Sequence, residues 1–476
     1  MRTHFIRLAV VMLLAGTAVI AQNPPPRQGG PAPAVVDPYP QPINATDAVI
    51  RVGLTEFARI PPNGAEPSRM MLLSNEPATR RLFLADMTGL LYSISYDGRS
   101  VVKYLDINTP AFAQPVQSMG RERGLNSFAF HPQFGQQGTP GYGKFYTYMD
   151  TSNQMPTPDF RPKGDMTTHD TVLLEWTARN PAAATYDGAA PRELMRLRQP
   201  FANHNAGLVA FNPLAQPNTP DFGMLYMSVA DGGNGGDPLN AAQDLGNAFG
   251  KFFRINPLGN NSANKRYGIP ADNPFVGNRQ ALGEIWALGV RNPQRFGWDP
   301  RTGTIYAAEI GQNIIEEITA VPKGGNLGWN AWEASVKFIS RTELDLTQRR
   351  SDPKMTYPVV EFDHRDPLLP TGRSSVTGLI VYRANAIPQL TNKMLFADMP
   401  SGEMFYVDAD RLPQQGGQDA IRRVVFNSGG MAKNLLQVIK EKTPAAERAD
   451  IRFGTGPDNR IFLLNKADGV VREVVR

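Results

Sequence analysis

The sequence has no cysteine and only five histidines. Without cysteine there is no disulfide, no thiolate metal site and no covalently attached c-type haem. The histidines are too few and too scattered for a zinc site built on them, since His4 lies in the leader and His131, His169 and His364 fall in unrelated phrases. His131-Pro132 follows an apolar strand and reads as a turn. After residue 20 no apolar run approaches the length of a membrane span. Charged residues make up 20% of the chain, the net charge is +5, and no dense basic run appears, so nucleic acid is not an expected partner. Few segments hold a 3.6-residue period, which argues against a helical core. There is no G-x-S-x-G elbow, P-loop or H-E-x-x-H motif.

What is present begins with a leader. Arg2 and Arg7 precede an apolar stretch from Leu8 to Ile20, with small residues near Ala21. This pattern predicts a secretory signal peptide over residues 1–21 and a periplasmic or secreted mature chain with no transmembrane segment. Residues 22–45 are proline-rich and predict an extended tether with little to bury. From residue 46 to residue 476 the chain reads as one folded unit. Its 44 glycines and 41 prolines suit many tight turns.

One phrase recurs along that unit: an apolar β-rich run, a turn, then a second alternating run. It appears at 82–95, at 144–150 answered by 171–178, and at 224–233 answered by 250–257. It returns at 304–311 answered by 316–321, at 394–408 and at 460–475. Six such units predict an all-β fold, a six-bladed β-propeller with long inserted loops. VIRVGLTEF at 49–57 is expected to close the ring onto the last blade. A decorated β-sandwich is the alternative.

Several residues invite chemistry. His204, in FANHNAGLVAFNP, is the natural choice for a base titrating near neutral pH, and equally for a residue that only hydrogen-bonds its loop. Arg291-Asn292 offers a guanidinium fork and an amide to a planar carboxylate ligand, or a structural ion pair followed by a turn. ADGGNGGD places Asp231, Asn234 and Asp237 in an oxygen-rich loop that is also a plain turn signal. Asn203 and the two aspartates of this loop are candidate substrate contacts. Glu309, Glu316 and Glu317 are acids near Gly311; the last two also read as solvated strand-edge charges.

Taken in order, ERGLNSFAFHPQF, NHNAGLVAFNP, SVADGGNGGDPLNAAQDLGNAFGKFFRI, EIWALGVRNPQRFGWDPRTG, EIGQNIIEEI and GGNLGWN resemble the glucose/sorbosone dehydrogenase family of six-bladed quinoprotein sugar dehydrogenases. The GQ…EE and GGNxGW variants are closer to the branch that holds hedgehog-interacting-protein-like propellers. The resemblance implies a sugar substrate, pyrroloquinoline quinone and calcium as cofactors, and an external electron acceptor. It makes His204, with Gly207 three residues on, the base that takes a hydroxyl proton. Arg291, Asn292, Glu122, Arg448 and Arg452 would contact the cofactor. The carbonyls of Gly311 and Gln312, with Glu309 and Glu316 nearby, would hold calcium.

The sequence also departs from the family. Leu208 stands where arginine is usual, and Pro400-Ser401 where a quinone-binding lysine is expected. Thr371, Arg373 and Ser374 replace an aromatic pair, and Arg448 and Arg452 are offset from the usual R-x-R register. The expectation is therefore an exported quinoprotein dehydrogenase acting on an aldose or related alcohol. A non-catalytic calcium-binding propeller that grips glycan or protein, and a calcium-dependent lactonase, stand as rivals.

Overall fold

The computed structural model describes residues 37–154, 157–164, 167–205, 207–369 and 374–476. The predicted leader, residues 22–36 of the predicted tether, and Thr371 and Arg373 lie outside the described residues. No helix among the described residues is long and apolar enough to cross a membrane.

Each predicted run-turn-run unit is the central hairpin of one four-stranded blade. Blade 1 comprises Met70–Glu76, Arg81–Asp86, Leu90–Ser95 and Val101–Asp106. Blade 2 comprises Leu125–Phe130, Lys144–Thr151, His169–Thr177 and Arg192–Gln199, and blade 3 Val209–Phe211, Leu225–Val229, Lys251–Ile255 and Ile285–Leu288. Blade 4 comprises Arg295–Trp298, Ile305–Glu309, Ile315–Ala320 and Val360–Asp363, and blade 5 Val376–Tyr382, Lys393–Asp398, Met404–Asp408 and Arg422–Ser428. Blade 6 takes Arg452–Thr455, Ile461–Leu464 and Val470–Val475 from the end of the chain and Ile50–Arg59 from its start.

That early strand closes the ring. It runs antiparallel to Val470–Val475, and its first residues also pair in parallel with Arg422–Ser428. One strand therefore ties blades 5 and 6 together and leaves no open edge there.

The strands are short and buried on both faces because every blade packs against two neighbours. Among the described residues the apolar core divides into six clusters, one between each adjacent pair of blades. Phe83, Phe128 and Phe145 fill the space between blades 1 and 2; Phe362, Phe396 and Phe405 fill it between blades 4 and 5. The first strand of each blade lines the central channel. Arg295 of blade 4 reaches Met71 of blade 1, on the opposite side, with Nη2 donating to the Met71 carbonyl.

Two features differ from the sequence expectation. Residues 38–43 do not hang free. The Ile43 amide donates to Asp366 Oδ2 at 2.7 Å, Gln418 Nε2 donates to the Gln41 carbonyl at 2.6 Å, and Arg349 lies over the Tyr39 ring. A proline-fixed extended segment costs little entropy to dock when side chains satisfy its backbone. The second is an added three-stranded sheet, Trp332–Glu333, Val336–Ser340 and Glu343–Arg349, inserted before the last strand of blade 4.

Candidate active site

The loops that enter the inner strands converge on one end of the channel, around a cavity of about 490 Å³. His204, Glu122, Arg291, Asn292, Gly311, Gln312, Arg448 and Arg452 all line it, although they come from blades 2, 3, 4 and 6. The sequence separates Glu122 from Arg452 by most of the chain; the ring of blades brings them to one opening.

His204 is 4% exposed and adopts a left-handed backbone, φ 57°. Its amide donates to Glu122 Oε2 at 2.7 Å, and its Nδ1 lies 2.6 Å from Asp231 Oδ1. Asp231 also accepts from the Gly233 amide at 2.9 Å and from Trp329 Nε1 at 2.9 Å. A carboxylate that accepts from Nδ1–H fixes the tautomer and leaves Nε2 as the free lone pair. The H-x-x-G spacing has a steric cause as well. A Cβ on Gly207 would fall 1.9 Å from Ser228 Oγ, which accepts from the Leu208 amide and donates to the Pro293 carbonyl. Only glycine lets the His204 loop pass this close to the start of blade 4.

Arg291 is 7% exposed. Its carbonyl accepts from the Asp231 amide at 2.8 Å, and its own amide donates to Glu309 Oε1. Its Nη1 donates to two successive carbonyls, Ile310 at 2.8 Å and Gly311 at 2.7 Å, and the guanidinium lies 5.7 Å from the Trp329 ring centre. Trp329, from GGNLGWN, therefore braces both the histidine's carboxylate and the arginine. Gln312 Oε1 accepts from the Gly236 amide at 2.6 Å. A Cβ on Gly311 would meet the Ile315 carbonyl oxygen at 1.6 Å, so the tight turn requires glycine. Glu333 secures that turn by accepting from the amides of Asn313, Ile314 and Ile315.

The acids near this turn are not surface charges. Glu309, Glu316 and Glu317 are all buried. Glu316 accepts from the Val376 amide at 2.6 Å and pairs with His364 Nε2 at 2.5 Å. Burial and the neighbouring Glu309 push the Glu317 carboxyl well up. Burial lifts Glu309 to about 8. Among the described residues no group of three or more histidine, aspartate or glutamate side chains could hold a metal ion. The carbonyls turned toward a common point are those of Ile310 and Gly311, and Arg291 occupies that point. The residues present do not fit the calcium ion that the family resemblance implies.

They suit a polycarboxylate cofactor better. Arg452 is buried with its Nε lacking a protein partner among the described residues. Burial, with a contribution from Arg448, pushes its guanidinium down to about 10. Arg448 donates to Asp450 Oδ1 at 3.0 and 2.7 Å. Arg291, Asn292, Arg448 and Arg452 thus surround the cavity with donors suited to carboxylates.

The remaining predicted positions lie elsewhere. Asp237 is buried away from the cavity and accepts from the Ala241 and Ala242 amides, both at 2.9 Å. Asn203 is half-buried and accepts from the Asn234 amide at 3.2 Å. Lys251 holds the same loop from below by donating to the carbonyls of Ala241, Ala242 and Phe249. Ser401, in the position expected to be lysine, donates to Asp398 Oδ2 and does not line the cavity. His364, set aside from the sequence, does line it. Spacing gives no sign of that placement, because His364 arrives from the far end of blade 4; the Glu316–His364 pairing exists only in three dimensions.

This fold and cavity place the chain in a known class. The family profile for glucose/sorbosone dehydrogenase matches residues 78–432, and the chain belongs to that family. It is 27% identical over 441 residues to the HIPL1 protein of Arabidopsis thaliana, covering 86% of this chain and 61% of that protein. It is 25% identical over 276 residues to the aldose sugar dehydrogenase YliI of Escherichia coli strain K12, covering 55% of this chain and 57% of that one. The chain thus spans less than two thirds of either relative's length. The PQQ-bound form of aldose sugar dehydrogenase from Streptomyces coelicolor shares the fold, with TM-score 0.56 and 16% identity over 89% of this chain and 98% of that one.

Proposed function

We propose that the protein is an exported quinoprotein dehydrogenase that oxidises an aldose or a related hydroxyl compound. The observation that carries this reading is the His204–Asp231 pair, held at a cavity whose lining includes Arg291, Asn292, Arg448 and Arg452. Asp231 orients the imidazole, so Nε2 takes the hydroxyl proton and the carboxylate stabilises the resulting imidazolium. Glu122 holds the His204 backbone, which keeps that nitrogen aimed at the opening. Arg291, Asn292 and Arg452 would hold pyrroloquinoline quinone, and Arg448 would extend the same face. When bound, the quinone supplies the two-electron acceptor for the hydride leaving the substrate carbon, and an external acceptor reoxidises it. The leader pattern and the family membership support export to the periplasm or beyond.

A second reading has its own support. Ser401 stands at the expected lysine and is committed to Asp398, and the HIPL1 relative carries no dehydrogenase name. On that reading the same end face binds a glycan or a protein without chemistry.

The test is a titration of the mature, cofactor-free chain with the quinone, followed by absorbance and by dye reduction with a panel of aldoses. Saturable binding with sugar-dependent reduction is expected. His204→Ala is expected to keep quinone binding and to lose about 10²-fold or more in turnover, the scale of a general base. No quinone binding in the wild type would overturn the dehydrogenase reading, and full activity in His204→Ala would remove that residue from the mechanism.

A further inference from the structure

We infer that the Arg291 guanidinium is the resident cation of this site, and that the site therefore works without calcium. The inference deepens the dehydrogenase reading and rests on it for the quinone arm of the test; its metal arm stands apart.

Two successive backbone carbonyls that turn toward one point are what a hard cation requires. Here the Ile310 and Gly311 oxygens converge at 2.8 and 2.7 Å on a single nitrogen, Arg291 Nη1. A calcium ion needs such oxygens at about 2.3–2.6 Å, six to eight of them in all. It would have to displace the guanidinium to reach them. The side chain is not free to leave at little cost. Its main chain is pinned on both sides, by Glu309 through the amide and by Asp231 through the carbonyl. Its plane lies over Trp329, and Gln312 Oε1 is 3.4 Å from its Nε.

The surrounding acids do not gather into a metal-binding group of three or more side chains among the described residues, although the second oxygens of Glu309 and Glu333 are buried without a hydrogen-bond partner. Glu333 spends one oxygen on three consecutive amides. Glu316 is divided between the Val376 amide and His364. A fixed +1 charge already satisfies the two carbonyls and faces the cavity, where it would meet an anionic ligand directly. A guanidinium in this place binds carboxylates by hydrogen bonds with defined geometry, which a metal does through its own coordination sphere.

The experiment uses terbium as a luminescent calcium substitute, excited through Trp329, with wild type, Arg291→Ala and Arg291→Gln. The wild type is expected to show no saturable signal up to about 10⁻³ M, the weak limit of extracellular calcium modules. Arg291→Ala is expected to bind terbium; Arg291→Gln, which removes the fixed charge, is expected to bind it as well and serves as the second variant if the alanine chain fails to fold. In parallel, quinone affinity of the wild type is compared in chelator and in millimolar calcium. The two values should agree, whereas in Arg291→Ala calcium should change quinone affinity by about tenfold, the usual scale of coupling between two ligands. Saturable terbium binding to the wild type overturns the inference, as does silence in wild type and both variants, because Arg291 would then not be what keeps metal out. Quinone binding that requires calcium in the wild type also overturns it. If no protein binds quinone under any condition, the dehydrogenase reading fails, and the terbium arm still decides this inference.

Discussion

The Asp231 carboxylate is the joint of the site, and a double-mutant cycle with Trp329 measures what it does. Oδ1 accepts from His204 Nδ1 and the Gly233 amide, and Oδ2 accepts from Trp329 Nε1. In Asp231→Asn the amide oxygen can keep the first two partners. The new NH2 group then faces the indole N–H, donor against donor, in a buried place. Leaving one such donor unsatisfied costs about 1–3 kcal/mol. Loss of the charge on the acceptor removes about 1 kcal/mol more from the histidine contact. Trp329→Phe deletes the opposing donor, so in that background Asp231→Asn should cost only the second amount. The double mutant is therefore expected to be more stable than the sum of the single losses by about 1–2 kcal/mol. Equilibrium urea unfolding of the four proteins gives the cycle, with m-values compared to show that the denatured state is unchanged. The same proteins assayed by dye reduction should separate the two roles. Asp231→Asn should fall by about 10²-fold or more, because His204 loses its counter-charge, while Trp329→Phe should fall far less. Additivity within about 0.5 kcal/mol would refute the reasoning, since it would mean that Asp231 and Trp329 do not share a buried hydrogen bond.

Two further outcomes follow from single sites. His131 is buried, its Nδ1 accepts from the Gln133 amide at 3.1 Å, and burial lowers its imidazole to about 4. The unfolded chain takes up this proton first, so stability is lost as pH falls from 6.5 to 4, by ~3 kcal/mol from this group. His131→Asn keeps an acceptor without a titration, and the difference in unfolding free energy between the two proteins should shrink by that amount over the same range; a difference that does not change with pH would contradict it. Gly311→Ala forces a Cβ against the Ile315 carbonyl, which should cost about 1–3 kcal/mol in thermal or urea unfolding and abolish ligand binding at the cavity; an unperturbed midpoint would show that the turn is looser than its geometry states.

The sequence alone was enough for the architecture. Run-turn-run phrases such as LFLADMTGLLYSIS and RIFLLNKADGVVREVV encode a hairpin locally, because period-two alternation and glycine turns act over a few residues. Repeated six times, they specify blades, and VIRVGLTEF was legible as the closing strand for the same reason. The H-x-x-G and Arg-Asn phrases also marked residues that line the cavity. What the sequence could not settle was the company each residue keeps. Asp231 read as one oxygen among several in a glycine-rich turn, and only the packing of blade 3 against blade 4 sets it between His204 and Trp329. Glu316 read equally as a surface charge; pairing of its strand with the last strand of the same blade buries it against His364, 48 residues on. The carbonyls of Gly311 and Gln312 suggested a metal; in the tertiary structure Arg291 takes that of Gly311, with Ile310 rather than Gln312 beside it. The division has one physical cause. Strands and turns are made by neighbours in sequence, whereas the site is made where six inner loops meet, and which donor faces which acceptor there depends on contacts across the ring that no local pattern records.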